Sequence, residues 1–126
     1  MERDLYLVKE VLVRIEKFPF KIEENFDYNI SIDGFTNDEV KYHIYLLHQA
    51  KFIEGAVQPS SINKHINIVE NTLNLTWKGH EFLDTLRNTT VWERIKHKRI
   101  MKDVPFELLF SFGKNIILEY LKNEMK

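Results

Sequence analysis

Residues 34–57, G-F-T-N-D-E-V-K-Y-H-I-Y-L-L-H-Q-A-K-F-I-E-G-A-V, set the tightest limit on what this chain can fold into. Thr36 and Glu39 have the T-x-x-E spacing of a capping box, in which hydroxyl and carboxylate each satisfy a backbone N–H of the first turn. Phe35 and Val40 are spaced for a hydrophobic staple across that cap. Val40, Ile44 and Leu47 recur at intervals of four and three, and Ala50 extends the row, so a helix over 36–51 has one apolar stripe. Phe52-Ile53 begins a β-type run and Gly55 follows, so the helix must stop near Lys51. At 1.5 Å per residue it is roughly 24 Å long, enough to lie in a DNA major groove.

At 100° per residue the arc opposite the stripe carries Asp38, Lys41, Tyr42, Tyr45, His48 and Gln49. Aromatic and amide groups suit base edges and Lys41 suits a phosphate, while Asp38, with Glu39 at the edge of the arc, opposes a polyanion. The bland alternative is an ordinary solvated helix face.

The flanking segments fit a small mixed domain. Leu5, Val8, Leu12 and Ile15, widened by Val11 and Phe18, predict a first helix over 3–18, closed by Pro19. Phe26, Tyr28, Ile30 and Ile32 alternate with polar residues, which predicts a short half-buried strand where a second helix is more usual. A strand over 52–57 and β-type pieces at 65–69 and 73–75, separated by Glu70-Asn71, predict a hairpin with Lys64 and His65 near its tip. Thr76 caps a helix over 77–87, with Phe82, Leu83, Leu86 and Trp77 expected on its apolar side. A second T-x-x-E, Thr90 and Glu93, opens a helix over 91–102, and Pro105 stands in the first turn of the last helix. That last helix is apolar nearly all round and calls for two partners, one of them a second subunit.

Charge is uneven. Residues 1–90 carry 10 basic and 14 acidic side chains, net −4, and residues 91–126 carry 8 and 5, net +3. Arg94, Lys96, Lys98, Arg99 and Lys102 fall within three turns, the spacing of a phosphate-binding helix or of an exposed amphipathic one. There is no cysteine, hence no disulfide or thiolate metal site. Glu39 with His43, and His80 with Asp84, are one turn apart, but two ligands do not hold zinc, so no metal is expected. Ser31, Ser60, Ser61 and Ser111 lack a nucleophile context and four glycines make no phosphate loop, so neither a catalytic site nor a cofactor is expected. The charged start M-E-R-D-L-Y is unlike a signal peptide, and no apolar run approaches the roughly 18 residues of a membrane span. A soluble cytoplasmic protein is the expectation.

G-F-T-N-D-E-V-K-Y-H-I-Y-L-L-H-Q-A-K-F-I-E-G, L-T-W-K-G-H-E-F-L-D, and T-V-W followed by V-P-F-E-L-L resemble an uncharacterised bacterial and phage family, domain of unknown function two-five-one-three. The resemblance implies a small protein of phage or prophage regions with a winged-helix-like fold, and it brings no catalytic residues. Lys51 stands where winged helices often carry Gly, which implies a less sharply turned helix end. The expected fold is α+β, mostly α: a winged helix-turn-helix core over 1–88 with a small antiparallel wing sheet, extended by C-terminal helices over 89–126 in one domain. The expected function is binding of double-stranded DNA as a phage or prophage transcriptional regulator. Tyr42, Tyr45, His48 and Gln49 would face the groove, and Lys41, Lys64, Arg94, Lys96, Lys98 and Arg99 the phosphates. The alternative is a protein-interaction module, an antirepressor or an inhibitor of a host protein, favoured by the acidic first 90 residues. A homodimer through the C-terminal helices is expected in either case.

Overall fold

In chain order the elements are α1 (Leu5–Glu16), α2 (Asn37–Gln49), β1 (Ile53–Pro59), β2 (Ile66–Leu75), α3 (Trp77–Leu86), α4 (Thr89–Lys96) and α5 (Phe106–Glu124). The structure, a computed structural model, describes residues 1–60, 62, 65–96 and 104–125. It is an α+β fold, mostly helical, with five helices and a two-stranded antiparallel sheet among the described residues. The chain forms two units, Met1–His80 and Glu81–Lys126.

In the first unit α1 begins at Asp4, whose carboxylate accepts from the Leu7 N–H at 3.0 Å. Its buried stripe is Leu7, Val8, Val11, Leu12 and Ile15. Leu7 lies inside and Leu5 is only half-buried, because the apolar arc is centred one position further round than the expected spacing put it. No helix follows before α2. Residues 26–32 bury alternate side chains down to Ile30 and Ile32, as expected, yet they form no strand. Alternation requires only extended backbone. What holds the segment is side-chain contact: Phe18, Phe26 and Tyr28 cluster with centroids 4.8 to 5.8 Å apart, and the Arg14 guanidinium donates to the Ser31 carbonyl at 3.1 Å.

The α2 capping box forms as read, with Glu39 N–H to Thr36 Oγ1 at 3.1 Å and Thr36 N–H to Glu39 Oε1 at 3.0 Å. Val40, Ile44 and Leu47 are buried. The far end corrects the expectation of a softer turn. Lys51 takes φ 65°, its N–H donates to the His48 carbonyl at 3.1 Å, and the Phe52 N–H reaches back to Leu47 at 3.0 Å. This is a Schellman ending, with a lysine at the left-handed position that glycine usually fills and Leu47 and Phe52 both fully buried.

β1 and β2 pair from Ile53 opposite Leu75 to Pro59 opposite Ile66. The two expected β pieces are one strand, and the break at Glu70-Asn71 survives as a bulge: residues 70–73 lie opposite Gly55 alone. The Thr72 hydroxyl fills the gap, accepting from the Ala56 N–H at 2.8 Å and donating to the Val69 carbonyl at 2.6 Å. Gly55, at φ 133°, has no room for a Cβ against the Thr72 backbone.

Thr76 then ties α3 to the end of α2. Its hydroxyl donates to the Lys51 carbonyl at 2.7 Å and accepts from the Gly79 N–H at 3.0 Å, and its own N–H donates to the Phe52 carbonyl at 3.1 Å. Gly79 packs its backbone directly on that Phe52 carbonyl, and any Cβ there would overlap it. The T-W-K-G stretch is thus a junction in which Thr and Gly have separate duties.

In the second unit Phe82, Leu83 and Leu86 are fully buried as read, and the Phe82 ring lies 5.5 and 5.8 Å from Phe106 and Phe110. Trp77, expected on the apolar side of α3, is 82% exposed. The Thr90–Glu93 capping box does not form. α4 starts earlier because Asn88 wins the cap, its Oδ1 accepting from the Val91 N–H at 3.2 Å, and Glu93 instead meets Lys96 at 3.0 Å. Pro105 is the cap of α5 and not a first-turn residue. Beneath Thr85 and Val91, Gly113 leaves no space for a larger side chain. α5 buries Phe106, Leu109, Phe110 and Ile116 but leaves Leu108, Leu118, Tyr120 and Leu121 exposed.

Two substitutions test the junction. Lys51→Gly relieves about 1–2 kcal/mol of left-handed strain against roughly 0.5–1 kcal/mol of added unfolded-chain freedom, so the urea midpoint should rise modestly with an unchanged slope. Gly79→Ala should cost about 3 kcal/mol, the upper end of overpacking penalties, and lower the midpoint accordingly.

Candidate nucleic-acid interface

The outward arc of α2 is set by the stripe it buries and by one histidine. His43 is 1% exposed. Its Nε2 accepts the Asp4 N–H at 2.8 Å, and its Nδ1 lies 2.7 Å from the Glu39 carbonyl. A backbone N–H can only donate, so the ring carries its proton on Nδ1 and gives it to Glu39. His43 therefore joins α2 to the cap of α1, with neither nitrogen left for a metal, and the Glu39 carboxylate is held in the capping box. Asp84, of the other candidate pair, meets Arg87 at 2.7 Å. Among the described residues no group of three or more His, Asp or Glu converges.

With the stripe and His43 turned inward, Lys41 and Gln49 are exposed and Tyr42, Tyr45 and His48 are half-buried. The structure brings these five together on one helix. The Tyr45 hydroxyl accepts from Gln49 Nε2 at 2.9 Å, which orients an amide and a phenol as one unit. The Tyr42 ring stands edge-on to His43 at 5.7 Å. Lys41 rims a groove of about 260 Å³ whose polar edge is Asn29, Asn37 and Glu70 and whose floor includes Ile30 and Ile44. The arc is polar and aromatic, with Asp38 exposed on the first turn and Glu70 in the same groove as Lys41.

Of the remaining candidates, Arg94 and Lys96 are exposed on α4, and Lys96 is paired with Glu93. Lys64, Lys98 and Arg99 lie outside the described residues. Sequence reasoning missed Trp77. The signal was present: Trp77 precedes Leu86 by nine residues, which at 100° each places the two on opposite sides of α3. It also missed the fully satisfied role of His43, since the Asp4 N–H comes from a segment 39 residues away.

The family model described as Hypothetical protein (DUF2513) matches residues 2–104, a span that takes in the T-W-K-G junction. A protein of Haemophilus influenzae named only "Uncharacterized protein" is 35% identical over 126 residues, covering 96% of this chain and 99% of its own. No solved structure matches the chain. No described helix is long and apolar enough to cross a membrane.

His43→Phe keeps the bulk and strands the Asp4 N–H. It should lower stability by about 1–3 kcal/mol, with partial recovery in His43→Gln, which can still accept. An unchanged urea midpoint in His43→Phe would show that the ring acts by volume alone.

Proposed function

The chain belongs to the DUF2513 family, and we propose that it is a DNA-binding protein of winged-helix type, a transcriptional regulator of phage or prophage genes. The observation that carries this reading is the α2 arc. Lys41, Tyr42, Tyr45, His48 and Gln49 share one side of a helix whose opposite side is locked to α1 by His43, and a two-stranded hairpin follows directly. In this reading α2 is the recognition helix and β1–β2 the wing. The coupled Tyr45–Gln49 pair offers an amide to a base edge from a fixed position, and Lys41 contacts a phosphate. One lysine on the arc gives little affinity. The basic residues of 94–102 supply the rest by counterion release, and pairing of two subunits through α5 doubles the contacts.

A second reading, a protein-interaction module such as an antirepressor or an inhibitor of a host protein, draws support from the acidic excess of residues 1–90 and from the exposed Leu118, Tyr120 and Leu121 on α5. Fluorescence anisotropy on a random duplex separates the two. The DNA reading expects binding at low salt, with a log–log salt slope of about −4 to −5 per bound subunit, for some five phosphate contacts each. Arg94→Ala/Lys96→Ala should flatten that slope by about 2 units per subunit without altering sequence preference, while Gln49→Ala changes the preference. Absence of binding at micromolar protein, with a host protein co-purifying, supports the second reading instead.

A further inference from the structure

We propose that Trp77 and Lys51 form a stacking site for an unpaired nucleotide of a single strand, the indole taking the face of the base and the Lys51 ammonium the neighbouring phosphate. The site is separate from the α2 arc and does not depend on duplex binding there. Trp77 is the largest side chain of the protein to stand almost wholly in solvent, and it makes no hydrogen bond or ring contact among the described residues. Its backbone is nonetheless among the best anchored. Thr76, the preceding residue, bonds to both Lys51 and Phe52, and Gly79 two residues on rests against the Phe52 carbonyl. An indole on a fixed base gives a flat surface at little ordering cost, which is what base stacking uses.

Lys51 is the independent observation. It holds φ 65°, a conformation that glycine adopts freely, and it is exposed. A cation kept at a strained position, where the helix ending alone favours glycine, points to use of its side chain. Its carbonyl receives the Thr76 hydroxyl at 2.7 Å, so Lys51 and Trp77 lie on adjoining backbone. The next cation, Lys78, has its Nζ 5.0 Å above the Phe52 ring. The acid one turn on from Trp77, Glu81, is paired with Lys114 at 3.5 Å. The cation here is Lys51, carried on the backbone that Thr76 joins to Trp77, a setting that fits a π-face beside a phosphate. Bases within a duplex keep their faces stacked, so the occupant is a single strand.

Titration of Trp92→Phe protein with dT12 reads Trp77 fluorescence alone, since the chain has two tryptophans. Saturable quenching that weakens with salt is expected. Lys51→Gly should weaken it by roughly tenfold while the protein becomes no less stable, and Lys51→Arg should retain it, because a phosphate contact needs the charge and not the ammonium shape. Lys41→Glu, which disables the α2 arc, should leave the quenching intact, so loss of duplex binding and loss of this site are read separately. No quenching by dT12 at about 100 µM, quenching indifferent to Lys51→Gly, or equal quenching by a blunt duplex would each overturn the proposal, the last by placing Trp77 in a duplex interface.

Discussion

The Phe52 peptide is the point from which the first unit is built. Its N–H closes α2 on Leu47, its carbonyl receives Thr76, and its fully buried ring lies under Lys78. One residue thereby ends a helix, starts a strand and seats the next helix. Buried backbone groups must find partners, and here both partners come from segments that would otherwise be free to reorient. Position 51 must then be left-handed for the Phe52 N–H to reach Leu47, and position 79 must lack a Cβ for α3 to approach the carbonyl. Two demands on residue type follow from a single peptide unit.

His43 has the same kind of role at the other side of α2. Apolar stripes tolerate sliding, since burial is not directional. A ring that donates to Glu39 and accepts from Asp4 tolerates none, and it fixes the rotation of α2 about its axis relative to α1. The outward placement of Tyr45 and Gln49 is the complement of that rotation. The candidate interface is therefore a product of the core as much as of its own residues.

The helices with strong local signals were legible. Thr36 and Glu39 fix the start of α2 within one turn of chain, and the Val40, Ile44, Leu47 stripe needs no partner to be recognised. Signals whose meaning depends on distant chain were not. The alternation of residues 26–32 reports half-burial and says nothing of whether a neighbouring strand is in register to pair. At α4 two caps compete, and Asn88 prevails over Thr90. Lys51 could not be read as left-handed because the preference belongs to glycine, and only the bonds made around it impose the turn. At the candidate interface the outward residues of α2 were read directly from periodicity, whereas the polar rim that places Asn29 and Glu70 beside Lys41 comes from two other segments.

The hairpin bulge bears on how the distal part of the sheet can vary. Thr72 bridges Ala56 and Val69 through its hydroxyl, and Gly55 alone faces the four looped-out residues. A slip of one residue in either strand would empty that hydroxyl seat and press a side chain into the Thr72 backbone. Alignment of the two strands is thus locked from the middle outwards. A change in the length of chain between Pro59 and Ile66 therefore leaves the strand alignment at the base, and the helices joined to it, under the same hold.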